Sequence, residues 1–583
     1  MSSTNGSALG PSSISVALKP GLAILLIAAA ICAPMIWYGV PDGGNVPQNL
    51  VWSHNFSSQL AAGEIYPRWL PDMNRGAGSP TFYYYAPLPF YLLAIPDFLF
   101  PSLGPTTRLA VGQGLLIALS GLSFFYYACR LADTRTAVIC SVLYMLLPYH
   151  FEIDLWRRQD LGELSNYVWM PLTLRYAETI LTSKASFAGL AISYALLVTS
   201  HLPSALLFSI CLPAALIIPL YGPQFIPVVL RLTGGIITGL LLAGIYWVPA
   251  LFIQQYIHPE FLWTSYEDPN LWLIPINTTK LFSDDPEGLF FAGRLLLAIA
   301  TSTAIFALCF VSAAIFKKGT GLRQMMAPAL LTATACFLML RVSAPIWEHT
   351  PLWKVQFPWR VAMVNDFAAA IAALYTLREA FRIRSFFAWV PVIASAVLLS
   401  LSFMNANLYA LFQPHYSAET LAEREAYVQH ELDVPEYIPH WDSTVSGGNT
   451  TNITDIGKLT YNTANGLVTI LTWKPRIIQL HVSLHSASLV MVRQYYFPNW
   501  HATVDGVEIQ VVPSRRNGLL QLTIPKGDYT VDLTMTRFAQ ETLGMLLSLL
   551  GILVLIGRKF LPWVAGKFIE IRGGVTSSAE KSL

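Results

Sequence analysis

The feature that most constrains the fold of this chain is a series of long apolar runs. A membrane-spanning helix needs roughly 20 mostly apolar residues, and the sequence contains about a dozen such segments. Hydrophobic residues make up 54% of the chain and charged residues only 12%, whereas soluble domains average about 25% charged residues. The sequence therefore predicts a polytopic α-helical membrane protein. The candidate spans are residues 19–40, 107–129, 136–152, 164–183, 186–202, 204–221, 226–252, 292–316, 325–343, 359–378, 385–405 and 540–560.

Charge and cysteine content exclude several classes of protein. The formal net charge is +2, so there is no basic surplus of the kind that nucleic-acid binding requires. All six cysteines fall inside apolar runs, and no pair has metal-ligand spacing. We therefore expect small core residues rather than a disulfide framework or a zinc site.

The basic residues of short connections set the orientation. Connections rich in Lys and Arg are cytoplasmic as a rule, and one alternating path places all of them inside, with cytoplasmic tails at 1–18 and 561–583. On that path residues 41–106 form a large outer loop. Residues 82–106 are apolar enough to span, but prolines interrupt them, so we predict an interfacial or re-entrant segment on the outer face.

Residues 406–538 differ from the rest of the chain because hydropathy falls and alternating strand patterns appear. Turn dipeptides such as Asp505-Gly506 and Asn517-Gly518 separate several of the patterns. We predict an extracytoplasmic antiparallel β-sandwich, held between the module 19–405 and a last transmembrane helix at 539–560. The expected strands are 467–473, 477–484, 488–495, 509–512, 519–524 and 529–535.

Unusual polar residues concentrate on the predicted outer face. Ionisable residues at membrane depth are costly and usually functional. A single arginine at a span end is more often an interfacial anchor, but here acids, arginines and histidines recur together. Carboxylates beside guanidiniums suit a general base next to a phosphate site, because Arg binds phosphate oxygens bidentately. The segments are 41–106, 153–163, 200–203, 253–291 and 347–360.

Several short motifs in this order resemble a known family. They are GEIYPRW at 63–69, GAGSPTFYYYAPL at 76–88, PYH at 148–150, DLWRR at 154–158, SH at 200–201, YWVP at 246–249, QFPWR at 356–360, YFPNW at 496–500 and DG at 505–506. The chain resembles the bacterial pyruvoyl-tetrahydropterin-synthase-related polytopic membrane proteins, which are similar to GT-C-type glycosyltransferases. The resemblance covers nearly the whole chain and implies a GT-C-like fold of about 12 transmembrane helices in the bacterial inner membrane.

The resemblance implies an inverting transfer of sugar from a polyprenyl-phosphate donor to a lipid or glycan acceptor on the periplasmic face. It places the catalytic base at Asp42, with Asp72 as second choice, although Leu50 stands where many relatives carry an Asp. We add Glu163 as a third catalytic candidate, either an ion-pair partner or a ligand of sugar or metal. The expected substrate-binding residues are His54, Arg68, Asp154, Arg158, His201 and Arg360.

Other assignments stay open from the sequence. No Asp-x-Asp pair or His-x-x-x-His motif demands a metal, so a divalent cation is an option rather than a requirement. The β-domain is either a carbohydrate-binding lid, with Tyr495, Tyr496, Trp500 and His501 as contacts, or a plain cap. Arg175 and Asp366 lie within spans and keep a lipid transporter or flippase in consideration. A non-catalytic envelope-assembly protein is the third alternative.

Overall fold

The structure is a computed structural model of the chain. It describes residues 11–41, 44–183, 185–220, 224–263, 266–283, 285–316, 320–383, 386–412, 433–442 and 456–558.

Helices account for most of the described chain. The α-helices, in chain order, are α1 (Pro11–Tyr38), α2 (Val46–Ala61), α3 (Met73–Gly76), α4 (Thr81–Tyr84), α5 (Leu88–Leu99), α6 (Pro105–Ala128), α7 (Thr134–Leu146), α8 (Leu161–Glu178), α9 (Ser186–Ser200), α10 (Leu202–Leu220), α11 (Phe225–Leu242), α12 (Gly244–Phe252), α13 (Pro269–Trp272), α14 (Thr278–Leu281), α15 (Pro286–Phe316), α16 (Thr320–Met339), α17 (Ala344–His349), α18 (Ala362–Ile383), α19 (Phe386–Phe412) and α20 (Ala539–Arg558). A π-helix covers Tyr149–Arg158. Single 3₁₀ turns cover Gln254–Tyr256, Pro259–Trp263, Arg341–Ser343, Pro351–Val355, Pro358–Val361, Pro435–Tyr437 and Thr463–Asn465.

The predicted class, a polytopic helical membrane protein with a sheet domain before its last helix, is confirmed. Within the described residues, eight helical segments are long and apolar enough to cross a membrane. They are Lys19–Tyr38, Pro105–Ala128, Thr134–Arg158, Phe225–Leu242, Pro286–Ile315, Leu322–Met339, Pro358–Ile383 and Ala539–Arg558. The other four predicted spans coincide with α8, α9, α10 and α19. These segments are helical, but their described parts are too short or too polar to be counted among the eight.

Two predicted spans are interrupted. The span 226–252 is broken between α11 and α12, where Gly244 packs so closely on Gly544 of α20 that an added Cβ would lie 3.0 Å from the Gly544 carbonyl oxygen. Small residues allow such close helix contacts in membranes. The α-helical part of the span 136–152 ends at Leu146, and after Pro148 the same apolar segment continues as the π-helix to Arg158. Our expectation that 153–163 is a connecting loop is therefore wrong as far as Arg158.

Residues 82–106 show the predicted break. Helices α4 and α5 are separated by Tyr85-Ala86-Pro87, and α5 packs against α2 and α6. Phe82, Tyr83 and Phe90 are fully buried. This part of the outer loop is thus a packed layer of short helices. Its placement as interfacial or re-entrant stays a prediction.

The β-domain consists of two antiparallel sheets around one core. The strands are β1 (Leu459–Thr460), β2 (Gly466–Lys474), β3 (Ile477–Leu484), β4 (Ser488–Tyr495), β5 (Trp500–Val504), β6 (Val507–Ile509), β7 (Val511–Pro513), β8 (Leu519–Ile524) and β9 (Gly527–Met535). One sheet has the order β1-β4-β8-β7 and the other β2-β3-β9-β5-β6. Buried residues of both sheets, such as Val492, Leu522, Leu480 and Leu533, share a single cluster. Five of the six predicted strands are confirmed. The expected strand 509–512 is two short strands in different sheets, and neither β1 nor β5 was predicted.

The β-domain packs against residues 44–106. The Trp69 indole donates to Gln494 Oε1 at 2.9 Å, and the Gln494 amide donates to the carbonyls of Pro71 and Gly76. A second attachment is Asp433, whose buried carboxylate accepts hydrogen bonds from the side chains of Trp52, Ser79 and Thr81. The domain is therefore fixed to the same loop that the sequence singled out for its polar residues.

Candidate functional site

The candidate site is organised by the π-helix, Tyr149–Arg158. Hydrogen bonds in a π-helix join residues five apart, so side chains at that spacing lie on the same side. Tyr149 and Asp154 consequently share one side, while Glu152 and Arg157 share another, where Arg157 Nε lies 3.2 Å from Glu152 Oε1. A π-helix is rare and occurs frequently at functional sites. It gives this segment two separate charged faces.

Arg158 is the centre of the first charged face. Its Nη1 lies 2.7 Å from Asp154 Oδ1, its Nη2 lies 2.7 Å from Asp160 Oδ2, and its Nη1 lies 3.1 Å from Glu163 Oε1. The guanidinium also lies over the Trp359 ring, 4.5 Å from its centroid. Three carboxylates and an aromatic face therefore hold one arginine in a fixed position.

Arg360 adds a second guanidinium from a distant part of the chain. Its Nε lies 2.9 Å from Glu163 Oε1, and its Nη1 donates to the carbonyl of Val355 at 2.9 Å. Tyr149 donates its hydroxyl hydrogen to Glu163 Oε2 at 2.8 Å. The polar cluster formed by Tyr149, Asp154, Arg158, Asp160, Glu163 and Arg360 is called the arginine pocket below.

The turn at Gln159, directly after the π-helix, places Asp160 beside Arg158. Gln159 has a left-handed backbone conformation, with φ of 52°. This conformation is unfavourable for a residue other than glycine, and it persists only where surrounding contacts stabilise it. The contacts are present: the Asn49 amide donates to the Gln159 carbonyl, and the Gln159 amide donates to the Pro41 carbonyl. The reversal brings Asp160 back onto Arg158.

The arginine pocket holds three carboxyl groups and two guanidiniums, so its net charge is one negative when every group is ionised. Burial opposes ionisation of Asp160, but the neighbouring positive charges of Arg158 and Arg360 outweigh it and lower the pKa of that carboxyl to about 2. Asp160 is therefore an anion at any physiological pH.

One group of side chains in the pocket suits a divalent cation. Asp160, Glu163 and His201 each offer a ligand atom, and these atoms lie within 4.8 Å of one another. Carboxylate and imidazole ligands suit divalent ions such as Mn²⁺ or Zn²⁺. His201 is oriented by Ser204, which lies 2.7 Å from its Nδ1. The donor set fits such an ion, although Arg158 and Arg360 already contact the two carboxylates.

The segment that follows α1 lies against the arginine pocket. The backbone N–H of Asn45 donates to the carbonyl of Arg158 at 2.9 Å, and a Cβ on Gly44 would lie 2.2 Å from the same oxygen. Pro41 contacts Gln159 as described above. Asp42, our first choice for the base, lies outside the described residues, between Pro41 and Gly44.

The other predicted site residues divide between the pocket and elsewhere. Arg158, Asp154, Glu163, His201 and Arg360 are brought together. Arg68 is not: its Nε lies 3.1 Å from Glu541 Oε2 of α20, and its guanidinium lies 3.8 Å from the Tyr66 ring centroid. Asp72 is exposed before α3. His54 is exposed beside a small cleft that also contains Asp97 and Arg108.

Sequence reasoning missed two members of the pocket. Asp160 lay within the segment noted for its charges but was not chosen, because nothing in the sequence shows that the chain reverses at Gln159. Tyr149 was part of a motif but was given no role. In the β-domain, Tyr495 and Trp500 are buried in the core and are not available to stack on a sugar. Tyr496 is half-buried and His501 is close to Glu508.

Comparisons with known proteins give structural similarity only. No protein-family model and no curated protein sequence matches the chain. The chain is similar to arabinofuranosyltransferase AftD from Mycobacteria, with 18% identity and a TM-score of 0.40 over 70% of this chain and 27% of that chain. The Archaeoglobus fulgidus oligosaccharyltransferase is similar with 16% identity and a TM-score of 0.38, over 71% of this chain and 56% of that chain. ArnT from Cupriavidus metallidurans bound to undecaprenyl phosphate is similar with 12% identity and a TM-score of 0.27, over 80% of this chain and 98% of that chain.

These similarities are weak. The chain spans about a quarter of the length of AftD and about half that of the oligosaccharyltransferase. Neither the scores nor the sequence searches confirm the family resemblance suggested by the motifs, so the arginine pocket itself must indicate the function.

Proposed function

We propose that this protein is a membrane glycosyltransferase that takes a sugar from a polyprenyl-phosphate donor, and that the donor phosphate binds in the arginine pocket. The observation that carries the proposal is the convergence of Arg158 and Arg360 on Glu163 at the end of a membrane helix. Guanidiniums suit the oxygens of a phosphate, and a phosphate here would replace part of the carboxylate contacts that Arg158 and Arg360 now make. A multi-pass membrane protein has ready access to a donor with a lipid tail.

The reaction needs a proton acceptor, an oriented acceptor hydroxyl and stabilisation of the leaving phosphate. The acceptor oxygen forms a bond to the anomeric carbon as the carbon–oxygen bond to the phosphate breaks. The bonding electron pair leaves with the phosphate, and the hydroxyl proton passes to a carboxylate. A single displacement of this kind inverts the anomeric configuration. Arg158 and Arg360 are the groups that would bind the phosphate as its charge increases.

We assign the base to Asp42, with Asp154 as a hydrogen-bond acceptor for substrate. The neighbours of Asp42 in the chain, Pro41 and Gly44, contact Gln159 and Arg158, which supports a position close to the phosphate. Asp154 is completely buried, and its Oδ2 has no hydrogen-bond partner among the described residues. A buried acceptor without a partner is costly, and a sugar hydroxyl would satisfy it.

A divalent cation, if one takes part, would be held by Asp160, Glu163 and His201. It would supply positive charge beside the donor phosphate. His201 would then serve as ligand through its ring, with Ser204 fixing the orientation.

The active face is assigned to the outer side of a bacterial inner membrane. The support is the distribution of Lys and Arg in short connections, together with the β-domain resting on the loop that contacts Arg158. The acceptor is then a lipid or glycan exposed at that surface.

The two intramembrane charges that favoured a transporter have local structural partners. Ser302 Oγ donates to Asp366 Oδ1 at 2.5 Å and the His150 backbone N–H donates to Oδ2 at 3.0 Å. Arg175 donates to the carbonyl of Tyr126 and lies over its ring. Asp366 and Arg175 thus each have a structural role, and their presence within spans no longer favours a transporter over an enzyme.

Binding of a polyprenyl phosphate to the purified protein tests the proposal. We expect saturable binding that weakens roughly tenfold or more in Arg158→Gln and Arg360→Gln, because a hydrogen bond to a charged group contributes about 1.5–3 kcal/mol. Arg341→Gln is the matched control, since Arg341 is exposed in the turn before α17. Equal affinity in all four proteins would contradict the proposal. Accumulation of the lipid in sealed vesicles without sugar transfer would favour the transporter.

A further inference from the structure

Tyr85 lies in the break between α4 and α5 and has a hydroxyl that the fold does not use. Its backbone N–H donates to the carbonyl of Thr81 and closes α4, after which the chain becomes extended. Its ring packs on Trp52, with centroids 4.7 Å apart, and on Phe90, at 5.8 Å. A phenylalanine would make the same ring contacts. Packing therefore accounts for the ring of Tyr85 but not for its oxygen.

The hydroxyl of Tyr85 has no hydrogen-bond partner among the described residues, and it is not enclosed by protein, since the side chain is only half-buried. The two tyrosines before it in the chain differ in this respect. Tyr84 donates to the carbonyl of Ile253 at 2.9 Å, and Tyr83 donates to Glu541 at 3.2 Å. Two of the three consecutive hydroxyls thus stabilise the fold, and the third is available to a ligand.

The packing on the C-terminal side of Tyr85 places it near the arginine pocket. Ala86 is buried in a small apolar cluster that includes Tyr246, and Leu202 packs against that cluster. Leu202 is the chain neighbour of His201, one of the three residues that could hold a cation. The break between α4 and α5 therefore contacts the same part of the helical module that contributes to the pocket.

The charged groups around Tyr85 are those of the arginine pocket. Burial raises the pKa of the Tyr85 phenol, and the charges that act on it belong to Asp160, Arg360, Arg158 and Glu163. Both guanidiniums that we assign to the donor phosphate are among them. Because the phenol stays protonated at physiological pH, it is a hydrogen-bond donor that adds no charge to the pocket.

We propose that Tyr85 contacts the substrate directly, donating its hydroxyl hydrogen to an oxygen of the donor phosphate while Arg158 and Arg360 contact the other oxygens. This inference rests on the proposed function and adds a third phosphate-binding residue to it. A hydroxyl that donates to an anionic oxygen makes a charge-assisted hydrogen bond. Tyr85 can make this bond without giving up another, whereas each of the two arginines has carboxylate contacts to exchange.

Binding of undecaprenyl phosphate to the purified full-length protein tests this inference with two single-atom changes. Tyr85→Phe keeps the ring and removes only the hydroxyl, so we expect the affinity to fall about tenfold and the unfolding temperature to equal that of the wild type. Tyr84→Phe is the matched control. It removes a hydroxyl that the fold uses, so the unfolding temperature should fall while the affinity stays within about twofold. A lower unfolding temperature in Tyr85→Phe, as in Tyr84→Phe, would assign the hydroxyl a structural role and overturn the inference.

Undecaprenol, which has the same hydrocarbon chain without the phosphate, shows which part of the lipid Tyr85 contacts. We expect Tyr85→Phe to leave undecaprenol binding unchanged. An equal loss for both lipids would assign Tyr85 to the hydrocarbon chain and overturn the inference.

Arg158→Gln distinguishes failure of this inference from failure of the proposed function. If Arg158→Gln weakens binding of undecaprenyl phosphate and Tyr85→Phe does not, the role of Tyr85 is wrong and the proposed function stands. If the wild type does not bind undecaprenyl phosphate, the proposed function is wrong and the role of Tyr85 with it.

Discussion

Arg360 Nε lies 2.9 Å from Glu163 Oε1, and this ion pair joins the segment before α18 to the first turn of α8. Both side chains are largely buried, with exposed fractions of 10% and 0%. The pair unites residues far apart in the sequence in one pocket. Its energy therefore affects the stability of the helical module as well as the shape of the site.

Removing one partner of this pair should destabilise the protein. We expect Glu163→Gln or Arg360→Met to cost about 1–3 kcal/mol, because each removes a buried charge-assisted contact while Glu163 or Arg158 keeps its other partners. The double variant should cost clearly less than the sum of the two single changes. Thermal unfolding in detergent measures all three. Additive effects would mean that the two side chains do not interact in the folded protein.

Gly44 provides a test of the contact between the outer loop and Arg158. Its φ is +48° and an added Cβ would lie 2.2 Å from the Arg158 carbonyl oxygen. Gly63 also has a positive φ, of +93°, but nothing lies within 4 Å of its added Cβ. Gly44→Ala should therefore cost about 1–3 kcal/mol more than Gly63→Ala, from overpacking against rigid backbone. It should also weaken polyprenyl-phosphate binding, whereas Gly63→Ala should not.

Equal unfolding temperatures for the two alanine variants would contradict that expectation. The comparison matters because both substitutions introduce the strain of a side chain at positive φ. Only the one at Gly44 adds a collision with the residue proposed to bind phosphate.

Much of the fold was predictable because its causes are local. Long apolar runs specify spans, and alternation specified five strands of the β-domain. The π-helix was not predictable from local patterns, and its first turn has a long-range contact in which the Asp366 carboxylate accepts from the His150 backbone N–H. A sequence shows neither that contact nor the left-handed turn at Gln159.

The sequence predicted most residues of the candidate site, but it did not predict which of them form ion pairs with one another. Arg158, Glu163 and Arg360 were chosen for residue type and position at span ends. Arg68 had the same features and yet pairs with Glu541 of α20. Which carboxylate meets which arginine is decided by helix packing over long sequence separations, and that information is absent from local patterns.

Stability should decrease as the pH rises through the weakly acidic range. Burial raises the pKa of Glu436 from 4.5 to about 7, and burial also raises the pKa of Asp433. Between about pH 4.5 and 7 the unfolded chain has lost the Glu436 proton while the folded protein keeps it, so folding loses free energy as pH rises. The full slope is about 1.4 kcal/mol per pH unit, and partial exposure of Glu436 makes the loss smaller.

Unfolding temperatures of the wild type and Glu436→Gln between pH 4.5 and 8 measure this effect. The variant should lose less stability over that interval, because glutamine has no proton to release. Glu348→Gln is the control, at an exposed position of α17. Parallel curves for all three proteins would show that Glu436 titrates normally.

Substitution of Asp42 and of Asp72 tests which of the two carboxylates is the catalytic base. Asp72 is exposed and its side chain does not cap α3, whereas the neighbours of Asp42 contact the backbone and side chain of the turn that positions Arg158. We expect Asp42→Asn to lower sugar transfer about 10²–10⁴-fold, the usual contribution of a general base, with polyprenyl-phosphate binding retained. Asp72→Asn should keep both within about twofold of wild type, since an exposed substitution without partners costs little. Loss of transfer in Asp72→Asn with normal transfer in Asp42→Asn would reverse the assignment, and the loop beyond α2 would then have to reach the donor.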